Sequence, residues 1–290
     1  MKPSAIFLLT IGLGAGAFSS SQVEEGLLPI NGTDLFVERM GSGEPIVVVR
    51  GGPVMEHGYL LTHLAPLAES HELIFFDQRL SGRSAATVDS GTVRLATFVE
   101  DIEALRVALD LGRIHLMAHS WGGLLAMRYA VEHGENLDSL ILLNSMSASS
   151  ALWQEEETIL AQRATAADSA ERQAVLESEG FAQQRPEAIA KLLRVSFKLQ
   201  FHDRSFIDRL TLYVPDDYTD RSRQFEFMMV DLMDFNLHDA LASVTTPTLI
   251  MDGSDEPDAT LAGAALHQSL QYSTLVIIGN SGHLSIHRTA

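Results

Sequence analysis

The chain has 290 residues, 46% of them apolar and 20% charged, with 21 Gly, 9 Pro and no Cys. That balance excludes a disordered or fibrous chain, and the lack of cysteine excludes disulfides, thiolate metal sites and a cysteine nucleophile. The net charge of −18, from 38 acidic against 20 basic residues spread along the chain, disfavours phosphate backbones and argues against nucleic-acid binding.

Met1 and Lys2 precede a mostly apolar run from Ala5 to Phe18, and Ala15-Gly16-Ala17 has the small-residue spacing of a cleavage site. This layout predicts a secretory signal peptide over 1–17 and export to a periplasmic or extracellular space. The run is shorter than the roughly 20 residues that cross a bilayer. No second long apolar run follows, so no stable membrane insertion is expected after processing.

Leu27–Ile30 and Leu35–Met40, joined by Asn31-Gly32, predict a hairpin, because Asn-Gly suits a tight turn of positive φ. Ile46–Val49 is a continuous apolar run of the kind buried on both faces of a parallel sheet, ending in Arg50-Gly51-Gly52-Pro53. A helix is expected over His63–Glu69, then a second buried strand over Leu73–Phe76, ending at Asp77-Gln78-Arg79. Apolar residues at 98, 99, 102, 105 and 109 predict a helix. Ile114–Ala118 is a third strand, Leu124–His133 a helix and Leu140–Leu143 a fourth strand.

From 147 to 235 the strand runs stop. The stretch is rich in Glu, Arg, Gln and Ala with helical periodicity, and Pro186 suits a first helical turn. Strand, helix and strand resume at Thr248–Met251, Ala259–Leu270 and Leu275–Ile278. The alternation predicts an α/β fold, a mostly parallel sheet flanked by helices with right-handed crossovers. Its core is assigned to 18–146 and 236–290, and the helical cap to 147–235.

The strongest chemical signal is Ala118-His119-Ser120-Trp121-Gly122, a serine between a buried strand and a helix with small residues two positions either side. This is a nucleophile elbow, a sharp turn that lifts the Ser120 hydroxyl above the sheet edge. A serine hydroxyl needs a base to react at neutral pH. In this chain order an acid follows, then a histidine. His283, after the last strand, is the candidate base. Asp255, in the loop after the fifth core strand, is the candidate acid, with Asp252 as second choice. The oxyanion donors are expected to be the N–H groups of Trp121, next to the nucleophile, and Gly52, in the loop after the first parallel strand. His115 and His119 lie roughly 13 Å apart along a strand, too far to share a metal. No cofactor is expected.

With these residues in place the sequence resembles the α/β-hydrolase superfamily, and within it the proline iminopeptidase-like group. The carriers are Gly51-Gly52-Pro53, Asp77-Gln78-Arg79 with Gly82-Arg83-Ser84, His119-Ser120-Trp121-Gly122-Gly123, Gly253-x-Asp255 and Gly282-His283. The chain departs from the group at three positions: Arg50 for His, Val54 for Gly and Leu80 for Gly. A larger residue beside the oxyanion loop is expected to narrow or reshape the acyl pocket. The chain also ends seven residues after His283, short of the C-terminal helix the resemblance implies. Loss of that helix would expose apolar surface and leave room for a homo-oligomer.

The resemblance implies a cofactor-independent serine hydrolase cleaving a small peptide, amide or ester, with aminopeptidase action on N-terminal proline as the leading subtype. Members of the group hold the substrate amine with cap glutamates, and Phe225-Glu226-Phe227 is similar to one such segment, which nominates Glu226. Glu155-Glu156-Glu157 reads first as a solvated helical turn. A carboxylesterase or lactonase with the same triad is the alternative. A non-catalytic binding protein on the same scaffold is the alternative of another class. Dehalogenase and epoxide-hydrolase chemistry would need Asp at position 120.

Overall fold

A computed structural model describes residues 23–255 and 261–283. The expected signal peptide, 1–17, lies outside them.

Asn31 (φ 46°) and Gly32 (φ 78°) turn the chain between β1 (Val23–Ile30) and β2 (Thr33–Gly41), which pair antiparallel. The core continues with β3 (Glu44–Val49), α1 (Gly58–Leu64), β4 (His71–Phe76), α2 (Leu95–Ala108), β5 (Ile114–Ser120), α3 (Trp121–Glu132) and β6 (Leu137–Ser145). The helix expected over His63–Glu69 begins earlier and ends at Leu64. Pro66 has no N–H to donate to an α-helix, and Ala65–Glu69 tightens into a 3₁₀ turn.

Between β6 and β7 (Thr248–Gly253) the described residues form only helical elements: α4 (Ser150–Gln162), α5 (Ala166–Leu176), α6 (Glu179–Ala182), α7 (Pro186–Phe197), α8 (Tyr218–Phe225), α9 (Met229–Leu232), α10 (His238–Leu241) and short 3₁₀ turns. Pro186 opens α7, where its fixed φ suits the helix and its missing N–H costs nothing. The segment leaves and re-enters the core through one neck. Ser149 and Asn236 form an antiparallel bridge, Ser150 N–H donates to Phe235 O (2.9 Å) and Leu237 N–H donates to Ala148 O (2.8 Å). The chain then completes the sheet with α11 (Ala262–Ser269) and β8 (Ser273–Ile278).

The strand order is β1-β2-β4-β3-β5-β6-β7-β8, parallel from β4 through β8. After β3 the chain moves to β4 on one side, then returns to β5 on the other. The carboxyl ends of β3 and β5 therefore flank a topological switch point, where α/β sheets open a crevice for ligands. Pairing of Val49 with Ala118 brings the loop after β3 beside the turn after β5.

Both sheet faces are covered, which is why the central strands carry unbroken apolar runs, Ile46–Val49, Leu73–Phe76 and Leu140–Leu143. Val47, Val49, Ile74, Phe76, Leu116 and Ala118 face the α2–α3 side. Ile46, Val48, Leu73, Phe75 and Met117 face α1 together with Phe201, Ile207 and Leu210 of the cap region. Each such side chain contributes about 1.5–3 kcal/mol on burial. At the far edge Val276 and Ile277 of β8 are exposed.

Candidate active site

The candidate nucleophile sits where the backbone is forced. Ser120 has φ 54° and ψ −124°, a conformation that costs a non-glycine residue free energy and persists because its surroundings hold it. Its neighbours leave no room for side chains. A Cβ on Gly122 would lie 2.4 Å from the Val49 carbonyl oxygen, and one on Gly51 would lie 2.7 Å from Ser120 Cβ. Ala118, two residues before the serine, is fully buried and fits with a single methyl.

His283 Nε2 lies 2.8 Å from Ser120 Oγ, although 163 residues separate the two in sequence. The histidine backbone is held on both sides. Its N–H donates to Gln200 O at 2.9 Å, and its carbonyl lies 3.1 Å from His119 Nε2. The Tyr59 hydroxyl accepts the Gly51 N–H (2.8 Å) and meets His119 Nδ1 at 2.8 Å. A carbonyl oxygen only accepts, so in the neutral imidazole the Nε2 facing His283 O carries the proton and Nδ1 accepts from the Tyr59 hydroxyl. Burial pushes the Tyr59 hydroxyl pKa well up, so the group stays a donor. This chain links the loop after β3 to His283. Sequence spacing carried no sign of Tyr59.

The two candidate acids differ in setting. Asp252, at the end of β7, is buried. Asp255, expected to turn toward His283, directs Oδ2 to His202 Nδ1 in the cap region (2.5 Å) and accepts from Ser254 Oγ through Oδ1 (3.0 Å). The bond from His202 holds the Asp255 carboxyl below its usual range.

Trp121 opens α3, so its N–H has no carbonyl within the helix to bond and is oriented with the helix dipole toward Ser120. Gly52 has φ 66°. Arg50 Nη1 donates to Gly51 O (2.8 Å) and also to Gly52 O. In a trans peptide the N–H points opposite to the preceding carbonyl, so holding Gly51 O turns the Gly52 N–H away from Arg50. Arg50, the departure from the group's histidine, thereby orients the loop. The departures at Val54 (φ 67°) and Leu80 (φ 63°) take left-handed backbone, and both side chains are buried. They border neither of the cavities at Ser120, so the expected narrowing is not how they act.

Beneath the loop lies a buried ionic cluster. His57 places Nδ1 2.9 Å from Asp77 Oδ1 and Nε2 3.2 Å from Glu38 Oε2, with its ring stacked between Phe36 and Phe75. Burial opposes the imidazolium, but the two carboxylates outweigh it and raise the His57 pKa. Asp77 also faces Arg50 at 3.9 Å, and Glu38 accepts from Arg83 at 3.2 Å.

Two cavities meet at Ser120, and Gly52, Gln200 and His283 border both. The smaller, about 70 Å³, is walled by Met55, Tyr59, Phe197 and Leu210. The larger, about 350 Å³, is walled by Trp153, Leu160, Phe225, Met229 and Leu232, with Glu156 and Glu157 as its acidic residues. Glu226 is exposed in the 3₁₀ turn Glu226–Met228 and borders neither cavity. The turn presents Met228 to the core and leaves the glutamate in solvent. The acidic residues that do reach the cavity come from the triplet in α4, where half-buried Glu156 and exposed Glu157 line its wall.

The sequence profile described as alpha/beta hydrolase fold matches residues 44–288. Proline iminopeptidase from Lactobacillus acidophilus is 26% identical over 282 residues, covering 91% of this chain and 93% of that protein. Among solved structures, a proline iminopeptidase-related protein from Thermus thermophilus superposes with TM-score 0.70 at 22% identity, covering 92% of each chain. An esterase from Exiguobacterium antarcticum superposes with TM-score 0.65 at 22% identity, covering 89% of this chain and 92% of that one. The chain belongs to the alpha/beta hydrolase fold family.

Proposed function

We propose that this protein is a cofactor-independent serine hydrolase acting through an acyl-enzyme, with an aminopeptidase of the proline iminopeptidase type as the leading subtype. The observation that carries the reading is the 2.8 Å contact between His283 Nε2 and Ser120 Oγ at a strained elbow. In this mechanism Ser120 Oγ attacks the carbonyl carbon as His283 takes its proton. The Gly52 and Trp121 N–H groups stabilise the oxyanion. His283 then protonates the leaving group, and water releases the acyl product by the same steps. A carboxylate from the end of β7 or the loop after it orients the imidazole and stabilises its charge. Asp255 and Asp252 are separated by Asp255→Asn and Asp252→Asn, since loss of a triad acid costs about 10⁴-fold in kcat.

The substrate class follows from the larger cavity. Glu156 and Glu157 give it a negative field suited to a protonated amine, and the apolar wall suits a pyrrolidine ring or an acyl chain. The predominance of apolar residues in that wall favours an esterase as the second reading. The test compares proline arylamide with short acyl esters. Aminopeptidase action predicts arylamide turnover, and joint replacement Glu156→Gln with Glu157→Gln raises its KM about tenfold, the loss of one charge-assisted contact. Turnover of esters alone, unaffected by those replacements, selects the second reading. Export, with processing near residue 17, is proposed from the N-terminal pattern. It is tested by locating the protein in fractionated cells and sequencing its mature N-terminus.

A further inference from the structure

The base of the proposed triad is gripped from the cap. His283 N–H donates to the carbonyl of Gln200, the last residue of the 3₁₀ turn Lys198–Gln200. The loop that carries His283 is packed so tightly on this turn that a Cβ on Gly282 would lie 2.0 Å from Gln200 O. The preceding carbonyl, Leu199 O, is reached at 3.5 Å by Arg163 Nη1. The other arm of the same guanidinium, Nη2, donates to the backbone carbonyl of Asp255 at 2.5 Å. Asp255 N–H in turn donates to Ser281 O at 2.8 Å, two residues before the histidine. One half-buried side chain thus joins the turn that holds His283 to the loop after β7, which is itself bonded to the loop after β8.

Arg163 is itself fixed. It is the C-terminal cap residue of α4, the helix that brings Trp153, Glu156 and Glu157 to the larger cavity. Arg204 Nη2 donates to its carbonyl at 2.6 Å, and Arg204 Nη1 donates to Asp168 (2.8 Å). Lys198 Nζ lies 2.8 Å from the other Asp168 oxygen.

We propose that Arg163 is a positioning residue for the catalytic histidine: its guanidinium fork ties the cap turn 198–200, which bonds the His283 N–H, to the Asp255 loop, which bonds Ser281 O, and through both it holds the imidazole over Ser120. The fork geometry is the reason for arginine, since one planar group offers two donors at fixed spacing and a lysine offers a point charge. The inference rests on the serine-hydrolase reading for its catalytic consequence, but not on the identity of the triad acid, because Arg163 binds the Asp255 main chain.

The test compares wild type, Arg163→Ala, Arg163→Lys and, as control, Arg172→Ala, an exposed cap arginine. Two quantities are read: amide hydrogen exchange of the segment 278–283 relative to β5, and the rate of Ser120 labelling by a fluorophosphonate. Arg163→Ala is expected to speed exchange of 278–283 at least tenfold with β5 unchanged, and to slow labelling at least tenfold. Arg163→Lys should fall between, and Arg172→Ala should match wild type. With a turnover substrate, kcat should fall while KM stays within about twofold. Unchanged exchange in Arg163→Ala, a loosened segment with undiminished labelling, a rise in KM alone, or equal effects in Arg172→Ala would each overturn the proposal. If Arg163→Ala does not fold, Arg163→Lys decides on the same criteria, with a threefold change as threshold. A wild type that does not label removes the serine-hydrolase reading, and the exchange comparison then decides alone whether Arg163 holds the loop.

Discussion

At Ser120 the backbone and the chemistry are one arrangement. The residue is held at positive φ by the close packing of Gly51 and Gly122 around the turn, which prevents relaxation. Two outcomes follow. Ser120→Ala and His283→Ala, each folded, should lose at least about 10³-fold in kcat, read in the steady state against whichever substrate is turned over. Gly122→Ala should instead cost stability. The new methyl would meet the Val49 and Arg50 carbonyls of a central strand end, which cannot rotate away as a side chain could. A loss of about 1–3 kcal/mol is expected in denaturant unfolding, and a change below a few tenths would contradict the packing described.

At the scale of elements, the segment from β3 to α1 carries the oxyanion loop and rests on the His57 cluster. Glu38 and Asp77 titrate below their ordinary values of 4.5 and 3.8, while His57 titrates above its ordinary 6.5. A raised histidine stabilises the fold fully below its unfolded pKa, and that contribution disappears as pH rises through the folded value. Lowered carboxyls stabilise above their unfolded values and lose the contribution as pH falls through the folded ones. The cluster therefore contributes most between about pH 4.5 and 6.5, the window bounded by the unfolded pKa values of Glu38 and His57. Thermal midpoints measured across pH should decline above 6.5 in wild type. In His57→Phe, which removes the titrating group, that alkaline decline should be absent. A decline of equal size in the variant would show that other groups cause it.

For the whole molecule, the question is what holds the segments of a charged, irregular cap together above an apolar sheet. Part of the answer is Asp168, which caps α5 with Thr165 and bonds Lys198 of the turn 198–200 and Arg204 of the turn after it. Hydrogen bonds from Lys198 and Thr165 hold its carboxyl far below the ordinary range. Asp168→Ala removes a helix cap and two ion pairs together. It should cost about 1–2 kcal/mol and speed proteolytic cleavage between 163 and 210 while leaving the core fragments intact. Cleavage as slow as in wild type would mean that apolar packing alone holds the cap segments together.

Much of this was legible in the chain because its signals are local. Buried parallel strands carry unbroken apolar runs, an Asn-Gly turn needs positive φ, and an elbow needs small residues around a serine. From these the α/β class and the order of elements followed directly, and Ser120 and His283 were singled out as a candidate nucleophile and base. What the sequence could not resolve depends on helical phase and on irregular chain. Glu226 was nominated from a local likeness, but a 3₁₀ turn leaves it in solvent, while α4 brings Glu156 and Glu157 of a triplet that reads as solvated to the cavity wall. Asp255 was assigned by its place after a strand, yet its carboxylate meets His202, a residue with no motif around it. Tyr59, Gln200 and Arg163 act through main-chain groups of distant segments, and such bonds leave no pattern in side-chain identity. Residue type and period determine which elements form and where a nucleophile is exposed. Only packing of those elements in three dimensions decides which side chains share its cavity and which carbonyls hold its base, because those contacts join residues that no short-range rule relates.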